Sequence, residues 1–248
     1  MSLPLVLVHA FPLTPAVFDD LAGRLTGTTL IRPALRGFGG PALGDAEPSV
    51  DVYADDVAAG LAAQGVERAI VGGLSLGGYV TMALLRRHPD LVAGVVLADT
   101  KASEDTAEAK ANRLRMADAV ERHGSRALRP MLDTLLGETT RRDRPDLVAR
   151  VRDWLDAAPP DGVAWAQRAM AARPPSFGTL REAAARGLAP STVIVGRDDD
   201  VTGLDEAGAM AAALGGVTVH VVDGAGHLSP LEHPDAVAEI VRETVVSP

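Results

Sequence analysis

The sequence contains no cysteine, which excludes disulfide staples, thiolate metal sites and a cysteine nucleophile. At 248 residues no staple is needed, because a domain of this size buries roughly 70–75% of the surface its unfolded chain exposes. Aromatic residues are scarce, at 3%, so the few tryptophans and tyrosines are candidates for shaping a pocket. The longest near-apolar run, residues 91–98, falls far short of the ~20 residues of a membrane span. Met1-Ser2-Leu3-Pro4 holds no basic residue and leads into an apolar stretch that ends at Val8, too little for a signal peptide. The expectation is a cytoplasmic protein without a membrane partner. Basic charge is also short. With 33 acidic and 24 basic residues the net charge is −9, and the cluster Arg141, Arg142, Arg144 sits among acids. A nucleic-acid partner calls for a basic excess or stripe, so a small-molecule substrate is expected instead.

What the chain does have is alternation. Short apolar, β-branched runs at residues 3–9, 28–33, 68–73, 92–99, 191–196 and 217–223 are separated by stretches of helical period. This is the pattern of a parallel sheet covered by helices. Val50, Tyr53, Val57 and Leu61 fall on one helical face with Ser49 placed to cap it. Residues 76–88 read as a helix stopped before Pro89. The alternation breaks between Lys101 and about Ala189, where helix follows helix. Ala107, Ala111, Leu114, Ala117 and Val120 share one face there, and Leu147, Val151, Trp154, Leu155 and Ala158 another. The expected organisation is an α/β core from residues 1–100 and 190–248, with residues 101–189 inserted as a helical cap.

Gly73-Leu74-Ser75-Leu76-Gly77 fits G-x-S-x-G. In a chain with 25 glycines the pentapeptide alone is weak, and its context gives it weight. An apolar strand precedes it and a helix follows, so Ser75 falls on the sharp strand-to-helix turn that exposes a serine nucleophile. The competing reading, a phosphate-cradling loop, would require a G-K-[ST] ending or a G-x-G-x-x-G spacing, and neither is present. A serine nucleophile needs a base, and the base needs an orienting acid. His227, in Gly224-Ala225-Gly226-His227, lies on the loop after the last strand. His88 and His123 sit at helix ends, His220 within a strand, and His233 before a helix start. The acid is expected between nucleophile and base in chain order. Asp198, Asp199 and Asp200 qualify, as does Asp99 at the end of an earlier strand, and residue logic alone leaves the choice open. Oxyanion donors are expected from the N–H of Leu76 and from the loop His9-Ala10-Phe11-Pro12 after the first strand.

Taken in order, His9-Ala10-Phe11-Pro12, Leu35-Arg36-Gly37-Phe38-Gly39, Gly73-Leu74-Ser75-Leu76-Gly77-Gly78, residues 196–202 and Gly224-Ala225-Gly226-His227 resemble the α/β-hydrolase superfamily over nearly the whole chain. The likeness is greatest to the bacterial branch of 3-oxoadipate enol-lactonases, carboxylesterases and cofactor-free haloperoxidases. The resemblance implies Asp199 as the acid, three residues after Gly196. It also implies Phe11 and Leu76 as oxyanion donors and His9 as a structural residue. Ala10 stands where the family usually has glycine, and Ala34 where it often has aspartate. The antiparallel hairpin that opens many members has no counterpart before the first strand, leaving about six mainly parallel strands.

The resemblance further implies a cofactor-free serine hydrolase, without a metal, acting on a carboxylic ester or lactone. A C–C bond hydrolase or a perhydrolase with the same triad, or a ligand-sensing receptor, would also fit. Trp154, Trp165, Met131 and Met170 are the cap side chains expected to line an apolar pocket, the competing reading being that they pack inside the cap. Residues 28–32 are expected at a sheet edge blunted by Arg32 and Pro33, in a monomer or weak homodimer.

Overall fold

The six apolar runs form one sheet in the computed structural model, which describes residues 3–246. Its strands are β1 (Leu5–Val8), β2 (Leu30–Ile31), β3 (Ala69–Leu74), β4 (Val92–Ala98), β5 (Ser191–Gly196) and β6 (Val219–Val222). They lie in the order β2-β1-β3-β4-β5-β6, and every pairing is parallel. The four inner strands are buried almost throughout, as helices on both faces require, and therefore read as continuous apolar runs. The edge strands β2 and β6 are largely half-buried.

Several boundaries are tighter than the apolar runs suggest. Pro4 has no N–H to donate, yet its carbonyl still accepts from Ile70 N–H (3.0 Å), so β1 begins one residue later. β2 keeps only two residues between the Thr28 turn, where Thr28 N–H bonds Leu25 O, and Pro33. Arg32 lies outside that strand, its guanidinium on the Asp19 carboxylate. Among the described residues no strand pairs beyond β2. The reading of Met1 and Ser2 lies outside the described residues.

Val50–Ala63 buries Val50, Tyr53, Val57 and Leu61, and the Ser49 hydroxyl accepts from Asp51 N–H (3.1 Å). This helix packs beside Leu76–Arg87, the helix that follows β3. Between β4 and β5 the described chain is helical: Ala107–His123, Pro145–Ala157, Pro160–Ala172 and Phe177–Ala185, with shorter turns between the first two. Phe177–Ala185 packs on Leu76–Arg87. Ala107–His123 runs along Pro160–Ala172, and its apolar face is buried only toward the C-terminal end. Ala117 and Val120 are buried, whereas Leu114 is 47% exposed and Ala107 is also outside. On the N-terminal half Arg113 turns inward to the buried carboxylate of Asp105.

Candidate active site

Ser75 stands between β3 and the helix Leu76–Arg87 with φ 54° and ψ −111°, a conformation that side-chain-bearing residues seldom adopt. The neighbouring glycines make it possible. A Cβ on Gly73 would lie 2.1 Å from the carbonyl of Gly77, and one on Gly77 would lie 2.0 Å from Val8 O. The turn therefore closes only without side chains at those two places. Two contacts from β4 hold the serine backbone: Ser75 N–H donates to Ala98 O (3.0 Å), and the Thr100 hydroxyl donates to Ser75 O (2.8 Å).

An imidazole and one carboxylate come to this serine from the loops after β6 and β5. His227 Nε2 is 2.8 Å from Ser75 Oγ, and His227 Nδ1 is 3.0 Å from both Asp199 oxygens. A nitrogen facing a carboxylate carries the proton, so Nδ1–H donates to Asp199 and Nε2 is left to accept from the serine hydroxyl. Both side chains are buried, His227 at 2% and Asp199 at 5% exposure. The loop that puts His227 there is tied down by its own N–H, which bonds Leu135 O (3.1 Å).

Electrostatics sharpen the pair. Burial alone would push the Asp199 carboxyl up, but the hydrogen bond and charge of His227, the Thr202 hydroxyl and the Val201 N–H together hold it at about 2. Burial would likewise depress the His227 imidazole, yet the Asp199 carboxylate, with help from Asp99 and Glu232, raises it above the ordinary histidine value. Asp198 and Asp200 are exposed. Asp99 is fully buried, with its two oxygens on Gly196 N–H (2.8 Å) and Ser229 N–H (2.9 Å).

Leu76 follows Ser75 as the first residue of the helix Leu76–Arg87, and Phe11 lies on the loop after β1. Neither backbone N–H has a hydrogen-bond partner among the described residues, so both are available to a ligand oxygen. His9 faces elsewhere. Its Nδ1–H donates to Ala10 O (3.0 Å) and its Nε2 accepts from Leu35 N–H (3.0 Å). Burial, only partly offset by the Ala10 carbonyl, pulls it down to about 4. A neutral, doubly engaged imidazole joins the loop after β1 to the Leu35-Arg36-Gly37 segment.

The four large side chains of the helical segment are dispersed. Trp165 is buried, edge-on to Tyr53 (centroids 4.8 Å apart), with Nε1–H on Ala46 O (3.1 Å) and the Arg36 guanidinium 5.8 Å from its ring. Met170 is buried with its sulfur 3.3 Å from an Arg113 nitrogen. Met131 and Trp154 are half-buried against the apolar core.

Sequence reasoning missed Glu232. This buried carboxylate accepts from Gly137 N–H (2.8 Å), Gly226 N–H (2.9 Å) and Leu228 N–H (3.3 Å), and so joins the His227 loop to residues 137–140. Its only sequence signal is an acid directly after the mostly apolar stretch Leu228-Ser229-Pro230-Leu231. Thr202 was visible only as part of the Gly196 segment.

Residues 5–240 match the alpha/beta hydrolase family. A solved thermophilic esterase from Thermogutta terrifontis, with malate bound, is 36% identical, with a TM-score of 0.91 over 98% of this chain and 89% of that one. The enol-lactonase from Burkholderia xenovorans LB400 is 22% identical with a TM-score of 0.86, covering 100% of this chain and 93% of that one, a likeness of fold. A pimeloyl-acyl-carrier-protein methyl ester esterase of Aromatoleum aromaticum is 41% identical over 98 residues, a stretch spanning 39% of this chain and only 36% of that relative.

Proposed function

Since the chain belongs to the α/β-hydrolase family, we propose that it cleaves a small-molecule carboxylic ester or lactone through an acyl-enzyme on Ser75. The observation that carries this reading is the continuous hydrogen-bond chain from Ser75 Oγ through His227 to Asp199. His227 Nε2 takes the hydroxyl proton as Ser75 attacks the carbonyl carbon. Asp199 holds the tautomer and stabilises the imidazolium. The N–H groups of Phe11 and Leu76 receive the developing oxyanion, where preorganised donors lower the barrier most. His227 then returns the proton to the leaving oxygen, and water repeats the sequence to release the acid. The route draws on these side chains and calls on no cofactor or metal.

Residues 101–189 act in this reading as a helical cap inserted between residues 1–100 and 190–248. Of the four large side chains, Met131 and Trp154 keep accessible surface, whereas Trp165 and Met170 are buried. The protein works as a monomer or weak homodimer in the cytoplasm. An ester is favoured because both the 36% identical structure and the curated relative are named esterases.

Aryl esters, lactones and dienone acids, assayed with the purified protein and with Ser75→Ala, test the proposal. Continuous turnover of esters or lactones that drops on the order of 10⁶-fold in Ser75→Ala is expected. Preferential cleavage of dienone acids would make it a C–C bond hydrolase, and a single stoichiometric burst would make it a ligand sensor.

A further inference from the structure

Three consecutive residues at the tip of β4 touch every loop that carries a member of the Ser75–His227–Asp199 set. Ala98 O accepts from Ser75 N–H (3.0 Å), and the Thr100 hydroxyl donates to Ser75 O (2.8 Å). Between them, Asp99 N–H donates to Ile194 O on β5 (3.0 Å). Asp99 Oδ1 accepts from Gly196 N–H (2.8 Å), three residues before Asp199. Asp99 Oδ2 accepts from Ser229 N–H (2.9 Å), two residues after His227. β4 lies between β3 and β5 in the sheet, so this tip is where the three loops converge. The acid and base loops also abut there, since a Cβ on Gly196 would lie 2.0 Å from Gly226 O.

We propose that Asp99 is a positioning residue that clamps the Asp199 loop and the His227 loop to the nucleophile turn, one loop on each carboxylate oxygen. The inference rests on the reading of Ser75, His227 and Asp199 as the triad. Asp99 makes no hydrogen bond to His227, whose Nδ1 is taken by Asp199, so it acts through the loops and not on the reacting atoms. Its backbone supports the assignment. Asp99 has φ 43°, which a non-glycine residue rarely adopts. That strain is held beside a fully buried carboxylate.

A carboxylate suits this site. Both of its oxygens accept from the two N–H groups, whereas an amide turns its NH2 donor toward one of them. The charge also reaches His227. The titratable groups that face this pair are Asp199, His227 and Glu232. Burial and the Asp199 charge push Asp99 up to about 7, against the pull of His227 and the two N–H groups. Asp99 in turn adds to Asp199 in raising His227, as does Glu232. A base must be neutral to act, so activity falls as pH drops through the His227 value. Without the Asp99 charge that value is lower, and the acid limb moves to lower pH, by an amount that the protonation of Asp99 near 7 keeps small.

The test is Asp99→Asn in the full chain, assayed on an aryl ester for kcat, KM and the pH dependence of kcat/KM, with thermal melting alongside. The expected result is a roughly 10–100-fold loss in kcat, the scale on which orienting partners matter. KM should change less, and the acid limb should shift to lower pH. If the asparagine variant fails to fold, Asp99→Gly relieves the positive φ and should show the same shift of the limb. A lowered melting temperature with wild-type kcat and an unmoved limb would overturn the proposal. Reaction of the same preparations with an activated phosphonate separates this from the reading beneath it. A labelled Ser75 with an unmoved limb overturns the role of Asp99 alone. An unlabelled Ser75 in the unsubstituted protein overturns the triad and this inference together.

Discussion

At the loop end of the sheet, buried carboxylates are satisfied by backbone N–H groups, whereas in the helical segment between β4 and β5 they are met by cationic side chains. Asp99, Asp199 and Glu232 each accept from two or three main-chain N–H groups. Asp105, equally buried, is surrounded by Lys101 (3.1 Å), Arg113 and Arg173 (2.8 Å), and Arg173 in turn lies 4.1 Å from the Tyr79 ring. The two arrangements suit different tasks. A carboxylate fixed by main-chain donors locks loops relative to one another, as a proton relay requires. A carboxylate held by long cationic side chains ties helices together through groups that can follow small shifts in helix position.

The contrast breaks most visibly at Asp199. Asp199→Asn should lower kcat by about 10⁴-fold, because the amide favours the wrong imidazole tautomer. Asp198→Asn and Asp200→Asn, on exposed neighbours, should leave kcat near wild type. Steady-state kinetics on one aryl ester read all three. If Asp99→Asn were the more damaging change, the acid would lie on β4.

Asp105→Asn should act on stability instead. It leaves buried Arg173 (5% exposed) and half-buried Arg113 without their shared counter-charge, and breaking a buried pair costs about 3–5 kcal/mol. Denaturant unfolding is the measurement, with activity per folded molecule expected to change far less than in Asp199→Asn.

Trp165→Ala sharpens the comparison at the joint between helical segment and core. Its contacts to Tyr53, Arg36 and Ala46 predict a stability loss of about 3 kcal/mol, with similar relative rates on short and long acyl esters. A shift in chain-length preference at unchanged melting temperature would put the ring in the substrate pocket. The smallest effect is expected at the surface. Arg129→Ala breaks only an exposed fork to Asp156 (2.7 and 2.8 Å), and should leave the melting temperature unchanged.

Much of the loop end was legible because its signals are local. The runs of β1, β3 and β4 are apolar or glycine over their whole length, the glycines around Ser75 mark a turn with no room for side chains, and His227 lies on the loop after the last strand. The acid was not local. Four aspartates compete in the chain, and what sets Asp199 apart from Asp99 is that Asp199 meets His227 Nδ1 while the Asp99 oxygens go to Gly196 and Ser229 N–H, a property of loops far apart in sequence. Glu232 was illegible for the same reason. In the helical segment the apolar period of Ala107–His123 was met at Ala117 and Val120 but not at Leu114, beside which Arg113 reaches the buried Asp105.

The central claim, that Ser75 carries an acyl group during turnover, is tested most directly by acid-quenching the protein with a slowly deacylated aryl ester and measuring the intact mass. One acyl group per chain is predicted, mapped to the peptide containing Ser75 and absent from Ser75→Ala. Turnover without an adduct, or an adduct on any other residue, would contradict the account.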